Sequence, residues 1–250
     1  VRFENQVLFV TGGASGIGRA TAERVVREGG RAALVDLDRA KAEHVAAEIG
    51  GGCIGLGANV ADEIEVAAAV DATVAALGGI DVALAAAGHA EFGPTAEWDS
   101  ERFMRMLSVH VAGTFFTCKY VLPVMKARGK GAIVTIASTA AVMANNNNVP
   151  YGAAKAGIAG LTRQLVFEAL PEVRVNCIAP GRTITGMTTP LMIARGGDME
   201  KGEEIFGAAI PMKRMGTAEE LAAAICFFLS DESSFVTGQT LVVDGGETIA

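Results

Sequence analysis

Short apolar runs recur along the 250-residue chain, and the stretches between them return apolar residues at every third or fourth position. The runs at 7–10, 32–36, 53–58, 82–86, 132–137, 173–178 and 241–243 are almost continuously apolar, as strands buried on both faces are. The segments between them, to 27, 38–49, 62–77, about 101–126, 150–170 and 218–229, carry the helical period. Strands alternating with amphipathic helices predict one α/β domain. Its parallel sheet is covered by helices on both faces, through right-handed crossovers. Between 185 and 211 the periodicity weakens around Met187, Pro190, Met192, Gly196, Gly197 and Met199. Two readings of that segment stand, a lid over a binding site and a helical pair packed on the core.

Ligands of such sheets gather beyond the carboxyl ends of the strands. The first strand runs into Thr11-Gly-Gly-Ala-Ser-Gly-Ile-Gly18 and then a helix, the order that brings an anion to backbone N–H groups at a helix N-terminus. Side chains at Gly12, Gly16 and Gly18 would hold a pyrophosphate away. The second strand closes on Asp36, whose carboxylate suits the two ribose hydroxyls of an adenosine and repels a 2′-phosphate. The alternative role for Asp36 is to cap the next helix, which Asp38 can also do. Pro150 fits a helical first turn, so Tyr151 and Lys155 share one helix face. An ammonium fixed beside a phenol favours the phenolate and is expected to lower the Tyr151 pKa. Ser138, at the end of a strand, can return to that pocket as a hydrogen-bond donor or simply make a turn. The three together make an alcohol-oxidising site. Asn59, Gly88 and 180–185 fall at the same edge of the sheet.

Composition narrows the partners. A formal net charge of −7 disfavours nucleic acid and anionic membranes, and Lys126 to Lys130 reads as a helix end with favourable cations. No apolar run is read as membrane-spanning. Cys53, Cys118, Cys177 and Cys226 are scattered, without zinc or disulfide spacing, which suits a reducing cytoplasm. His44, His89 and His110 show no metal-ligand spacing, so no metal is expected. The chain begins at Val1, which is read as the removal of a few residues.

Taken together, these residues resemble the short-chain dehydrogenase/reductase family over nearly the whole chain. Thr11 to Gly18 is similar to its cofactor turn, Ser138 with Tyr151-x-x-x-Lys155 to its catalytic residues, and Pro180-Gly-Arg-Thr-Ile-Thr185 to its Pro-Gly segment. The resemblance implies a Rossmann-type sheet of seven strands, a nicotinamide cofactor and a homotetramer. Asp36 points to NAD within that expectation. The cofactor is expected along Gly12, Ser15, Gly16, Ile17, Gly18, Asp36, Leu37, Asn59, Val60, Ala87, Gly88, Tyr151, Lys155, Pro180, Gly181, Thr183 and Thr185. Ser138 would then position the substrate oxygen, Tyr151 would move its proton, and Lys155 would hold the nicotinamide ribose.

Four positions depart from the family pattern. Ala85-Ala-Ala-Gly88 replaces Asn-Asn-Ala-Gly, Asn59 replaces an aspartate, and His110 stands where the catalytic tetrad has asparagine. In the family that asparagine holds a water of the proton path through its main-chain carbonyl. Three readings of His110 stand: it preserves that water while its imidazole fills the space left by Ala85 and Ala86, it joins proton release directly through a pKa near its usual value of about 6.5, or it is merely structural with a satisfied ring. The expected substrate is a small or medium secondary alcohol or ketone, touched by His89, Glu91, Ala140, Asn145 and the 187–199 segment. A nucleotide-binding regulator without turnover is the alternative. A sugar-nucleotide epimerase would need an added substrate domain.

Overall fold

The structure is a computed structural model that describes residues 1–144 and 146–250. The expected substrate contact of Asn145 lies outside the described residues.

Seven strands form the main sheet: β1 (Val7–Thr11), β2 (Arg31–Asp36), β3 (Ile54–Gly57), β4 (Val82–Ala85), β5 (Gly131–Ile136), β6 (Val173–Pro180) and β9 (Thr240–Val243). Their order is β3-β2-β1-β4-β5-β6-β9, and every pairing is parallel. A shorter pair, β7 (Thr183–Ile184) and β8 (Gly216–Thr217), stands apart from it. Because alternate side chains of a strand point to opposite faces, the sheet feeds two cores. Leu8, Val10, Leu34 and Leu84 pack with residues of α1 (Gly16–Arg27), α2 (Arg39–Ile49) and α9 (Ala218–Leu229). Val7, Phe9, Val35 and Ile133 pack with α3 (Glu63–Leu77), α5 (Gly113–Ala127) and α6 (Val149–Ala169). Strand order reverses between β1 and β4, and this switch point opens the crevice that holds the site.

The long helix expected at 101–126 is interrupted. It runs as α4 (Ser100–Leu107), a π turn at Ser108–Ala112, and α5. π turns inside helices concentrate at functional sites, and this one carries the fully buried His110. The continuous helical segment Ser100–Ala127 is 28 residues long and contains an 18-residue window of mean hydropathy 1.2, enough by length and composition alone to cross a bilayer. It is nevertheless a core helix. Cys118, Val121 and Met125 pack under the sheet, while Lys119 pairs with Glu63 and Lys126 with Glu172.

The 185–211 segment contains two helices, α7 (Thr189–Gly196) and α8 (Met199–Ala208). They touch through backbone, since a Cβ at Gly202 would lie 2.4 Å from the Met192 carbonyl oxygen. Met192, Ile210 and Met215 form a small core for the pair, with Ile184 and Phe206 packed against it. Glycine at the contact explains why no apolar stripe announced these helices.

Candidate active site

The β1–α1 turn is built around close approaches that only glycine permits. Gly12 has φ +67°, and a Cβ there would sit 2.9 Å from the Ala87 Cα. A Cβ at Gly18 would lie 2.2 Å from the Gly12 carbonyl oxygen. Ser15 opens α1 in extended geometry, without a side-chain cap, so the first-turn N–H groups face the crevice unshielded.

Asp36 ends β2 beside this turn. Its carboxylate accepts from the Ala14 N–H at 3.1 Å and the Asp38 N–H at 3.4 Å. Asp38, not Asp36, caps α2 by accepting from the Lys41 N–H at 3.0 Å. The Asp36 carboxylate therefore retains acceptor sites for a ligand. Asn59 has local work, its Oδ1 accepting from the Ala61 N–H at 3.0 Å, and Val60 is buried beneath Gly113.

At the other end, α6 carries Tyr151 and Lys155 one turn apart, and Pro150 sits in its first turn. Lys155 is 5% exposed, and its Nζ donates to the Ile136 carbonyl oxygen at 2.9 Å. Burial pushes this ammonium down to about 8. Ser138 follows β5 and accepts from the Ala140 N–H at 3.2 Å, making a turn and facing the site at once. The expectation that Lys155 lowers the Tyr151 pKa is corrected here. Burial raises the phenol above its ordinary value, opposed by a hydrogen bond with Ser138. The ammonium faces Ile136 and stands 5.5 Å from the phenol ring centroid, while desolvation penalises the phenolate directly.

His110 lies behind the reacting groups. Its ring is edge-on to Tyr151, with centroids 5.4 Å apart, and 5.3 Å from the His89 ring. Its Nε2 is 2.8 Å from the His89 carbonyl oxygen, to which it donates in the Nε2–H tautomer, and 3.3 Å from the His89 backbone nitrogen, from which it accepts in the other, while Nδ1 has no hydrogen-bond partner. Burial, reinforced by the Lys155 charge, holds the imidazole down to about 3, so it is neutral at pH 7. That overturns the expectation of an ionisation near neutrality. A Cβ at Gly88 would come 2.5 Å from His110 Cε1, which places the imidazole against Gly88.

One cavity of about 550 Å³ joins the two ends. It is lined by every residue expected along the cofactor, from Gly12 through Asp36, Leu37, Asn59, Val60, Ala87 and Gly88 to Pro180, Gly181, Thr183 and Thr185, together with Ser138, Tyr151 and Lys155. His110 is outside that lining. Of the expected substrate contacts, His89 and Met187 line the cavity, whereas Glu91, Ala140 and Met199 do not. Gly186 and Thr188 lie in the segment expected as a lid, whereas Arg105 and Val109 were not anticipated. Arg105 and Val109 are one helical turn apart just before His110, and that spacing was the available signal.

Comparison with known proteins agrees with this architecture. Residues 12–248 match a family model described as enoyl-(acyl carrier protein) reductase. The chain is 38% identical over 252 residues to 2-(S)-hydroxypropyl-CoM dehydrogenase 3 of Xanthobacter autotrophicus, covering 99% of this chain and 98% of that protein. It is 38% identical to D-threitol dehydrogenase of Mycolicibacterium smegmatis, covering 99% and 95%. A crystal structure of levodione reductase superimposes with a TM-score of 0.92 at 35% identity, covering 100% of both chains. The chain belongs to the short-chain dehydrogenase/reductase family. It is an oxidoreductase that works with a nicotinamide cofactor.

Proposed function

We propose that the protein is an NAD-dependent dehydrogenase or reductase of small or medium secondary alcohols and ketones. The observation that carries this reading is the meeting of Ser138, Tyr151 and Lys155 in one cavity with Asp36 at its far end. The bare first-turn amides of α1 and the glycine approaches fit a diphosphate, and the Asp36 carboxylate fits a ribose with both hydroxyls free. When bound, the nicotinamide supplies or accepts the hydride. The protein supplies orientation and proton transfer. Ser138 holds the substrate oxygen, and Tyr151 donates a proton to a ketone or takes one from an alcohol. Because burial keeps the phenol protonated at neutral pH, ketone reduction finds its acid ready. Alcohol oxidation needs the phenolate and gains as pH rises. Lys155 places a charge beneath the same face of α6 and would hold the nicotinamide ribose.

The reading extends to α7 and α8 as a lid, because Met187 and Thr188 at their root line the cavity. Relatives named for an alcohol group, a polyol and a dione support the substrate class. A homotetramer, and residence in a reducing cytoplasm suited to four free cysteines, complete the proposal. Screening secondary alcohols with NAD and ketones with NADH, by absorbance of the reduced nicotinamide, tests it. Turnover of the intact protein is expected and should disappear in Tyr151→Phe. NAD binding without turnover of any alcohol or ketone would turn the reading to a regulator.

A further inference from the structure

The substrate half of the cavity is positive in a chain whose formal net charge is −7. Lys155 and Arg105 line it with His89, and Asp36 is the only carboxylate residue in the lining among the described residues, at the opposite end. Arg105 stands in the last turn of α4, one turn before Val109, another lining residue. One of its Nη atoms donates to Glu91 Oε2 at 3.0 Å. The other Glu91 oxygen accepts from Arg102 Nε at 2.7 Å. One carboxylate thus orients two guanidiniums and neutralises only one. Arg105 keeps further N–H donors with no described partner, and it reaches the cavity wall.

Beside it, His89 Nε2 is buried with no hydrogen-bond partner. A buried ring nitrogen of this kind is normally satisfied, and His89 lines the cavity, where a ligand oxygen can meet it. Burial, then the Arg105 charge, lower the His89 pKa, with Lys155 adding to them and Glu91 opposing. The ring is therefore neutral and can present Nε2 as a donor.

We propose that the substrate carries a carboxylate in addition to its reacting alcohol or ketone, and that Arg105 together with His89 Nε2 binds it. This rests on the alcohol and ketone oxidoreductase reading above. The guanidinium supplies the charge and directional donors, and the imidazole a second donor, a pairing that selects an oxyanion over a neutral group. The diphosphate of the cofactor shares this chemistry, so the test separates the two sources.

The experiment compares secondary hydroxy acids of increasing chain length with their primary amides, as kcat/KM with saturating NAD. Acids are expected to exceed amides at the length that spans Tyr151 and Arg105. The ratio of acid to amide should fall about 10- to 100-fold in Arg105→Gln, the range of charge-assisted hydrogen bonds. Arg105→Lys should restore part of it, which a merely structural arginine would not do. Equal use of acids and amides by the unmodified protein at every length would overturn the proposal. So would an unchanged ratio in Arg105→Gln accompanied by a raised KM for NAD, which assigns the donors to the cofactor diphosphate. If amides and simple ketones turn over without preference for acids, the oxidoreductase reading survives and only this inference falls. If nothing turns over, both fall.

Discussion

Replacing Lys155 with methionine takes a charge out of the core and leaves a side chain of similar length. Lys155 is 5% exposed, has no salt bridge among the described residues, and makes one hydrogen bond, to the Ile136 carbonyl oxygen. Its pKa falls from an ordinary 10.5 to about 8. Each pKa unit corresponds to about 1.4 kcal/mol, so the charged form costs the fold ~3 kcal/mol. Removing the ammonium also leaves the Ile136 carbonyl without its donor, at a cost of about 1–3 kcal/mol. The balance is a Lys155→Met protein at least as stable as its parent at pH 7, by roughly 0–2 kcal/mol or a Tm gain of up to about 8 °C at this chain length. The sign with pH is fixed. The penalty is complete below the folded pKa of about 8 and disappears as pH rises through the unfolded value of 10.5. Thermal unfolding of both proteins without cofactor, between pH 7 and 10.5, should show the advantage of Lys155→Met shrinking, while its turnover is lost at every pH. A variant several degrees less stable at pH 7, or an advantage that grows with pH, would refute the reasoning.

Asp36→Asn should keep an acceptor for the Ala14 N–H and shift the ratio of NADP to NAD kcat/KM upward by about 10-fold, as expected for one unit charge near a phosphate at partly exposed geometry. Equal or better use of NADP by the unmodified protein would remove Asp36 as the discriminator. Tyr151→Phe should bind NAD almost normally and lose about 10²- to 10⁴-fold in kcat, checked by fluorescence titration and steady-state rates, unless product release limits both proteins. His110 is held down to about 3, so pH profiles of His110→Asn and the unmodified protein should superimpose from pH 6 to 9. Loss of an ionisation near neutrality in that variant would put the imidazole back into the proton path.

Much of the fold was legible because a parallel sheet buried on both faces demands continuous apolar runs. The strands lie within one or two residues of those runs at β1, β2, β4 and β5. The cavity was legible because its walls are loops at strand ends, where topology leaves little choice. The π turn at Ser108–Ala112 was hidden, since its apolar pattern reads as unbroken helix. Arg105 was missed because its spacing from Val109 shows only a shared helix face, and which way that face turns depends on how α4 packs against α6. The phenol of Tyr151 was misjudged for a different reason. Spacing shows that an ammonium is near, but how deeply both groups are desolvated belongs to the folded environment.

The pair α7 and α8 rests on a core of three buried residues, Met192, Ile210 and Met215, whereas each face of the main sheet is backed by a far larger cluster. Local opening free energies follow such differences, so this pair forms a separate cooperative unit of low protection against hydrogen exchange. Its amides should exchange well before those of β1 or β5. The chain thus carries two stabilities. A heat denaturation curve reports the sheet, and the opening of α7 and α8 follows its own, smaller free energy.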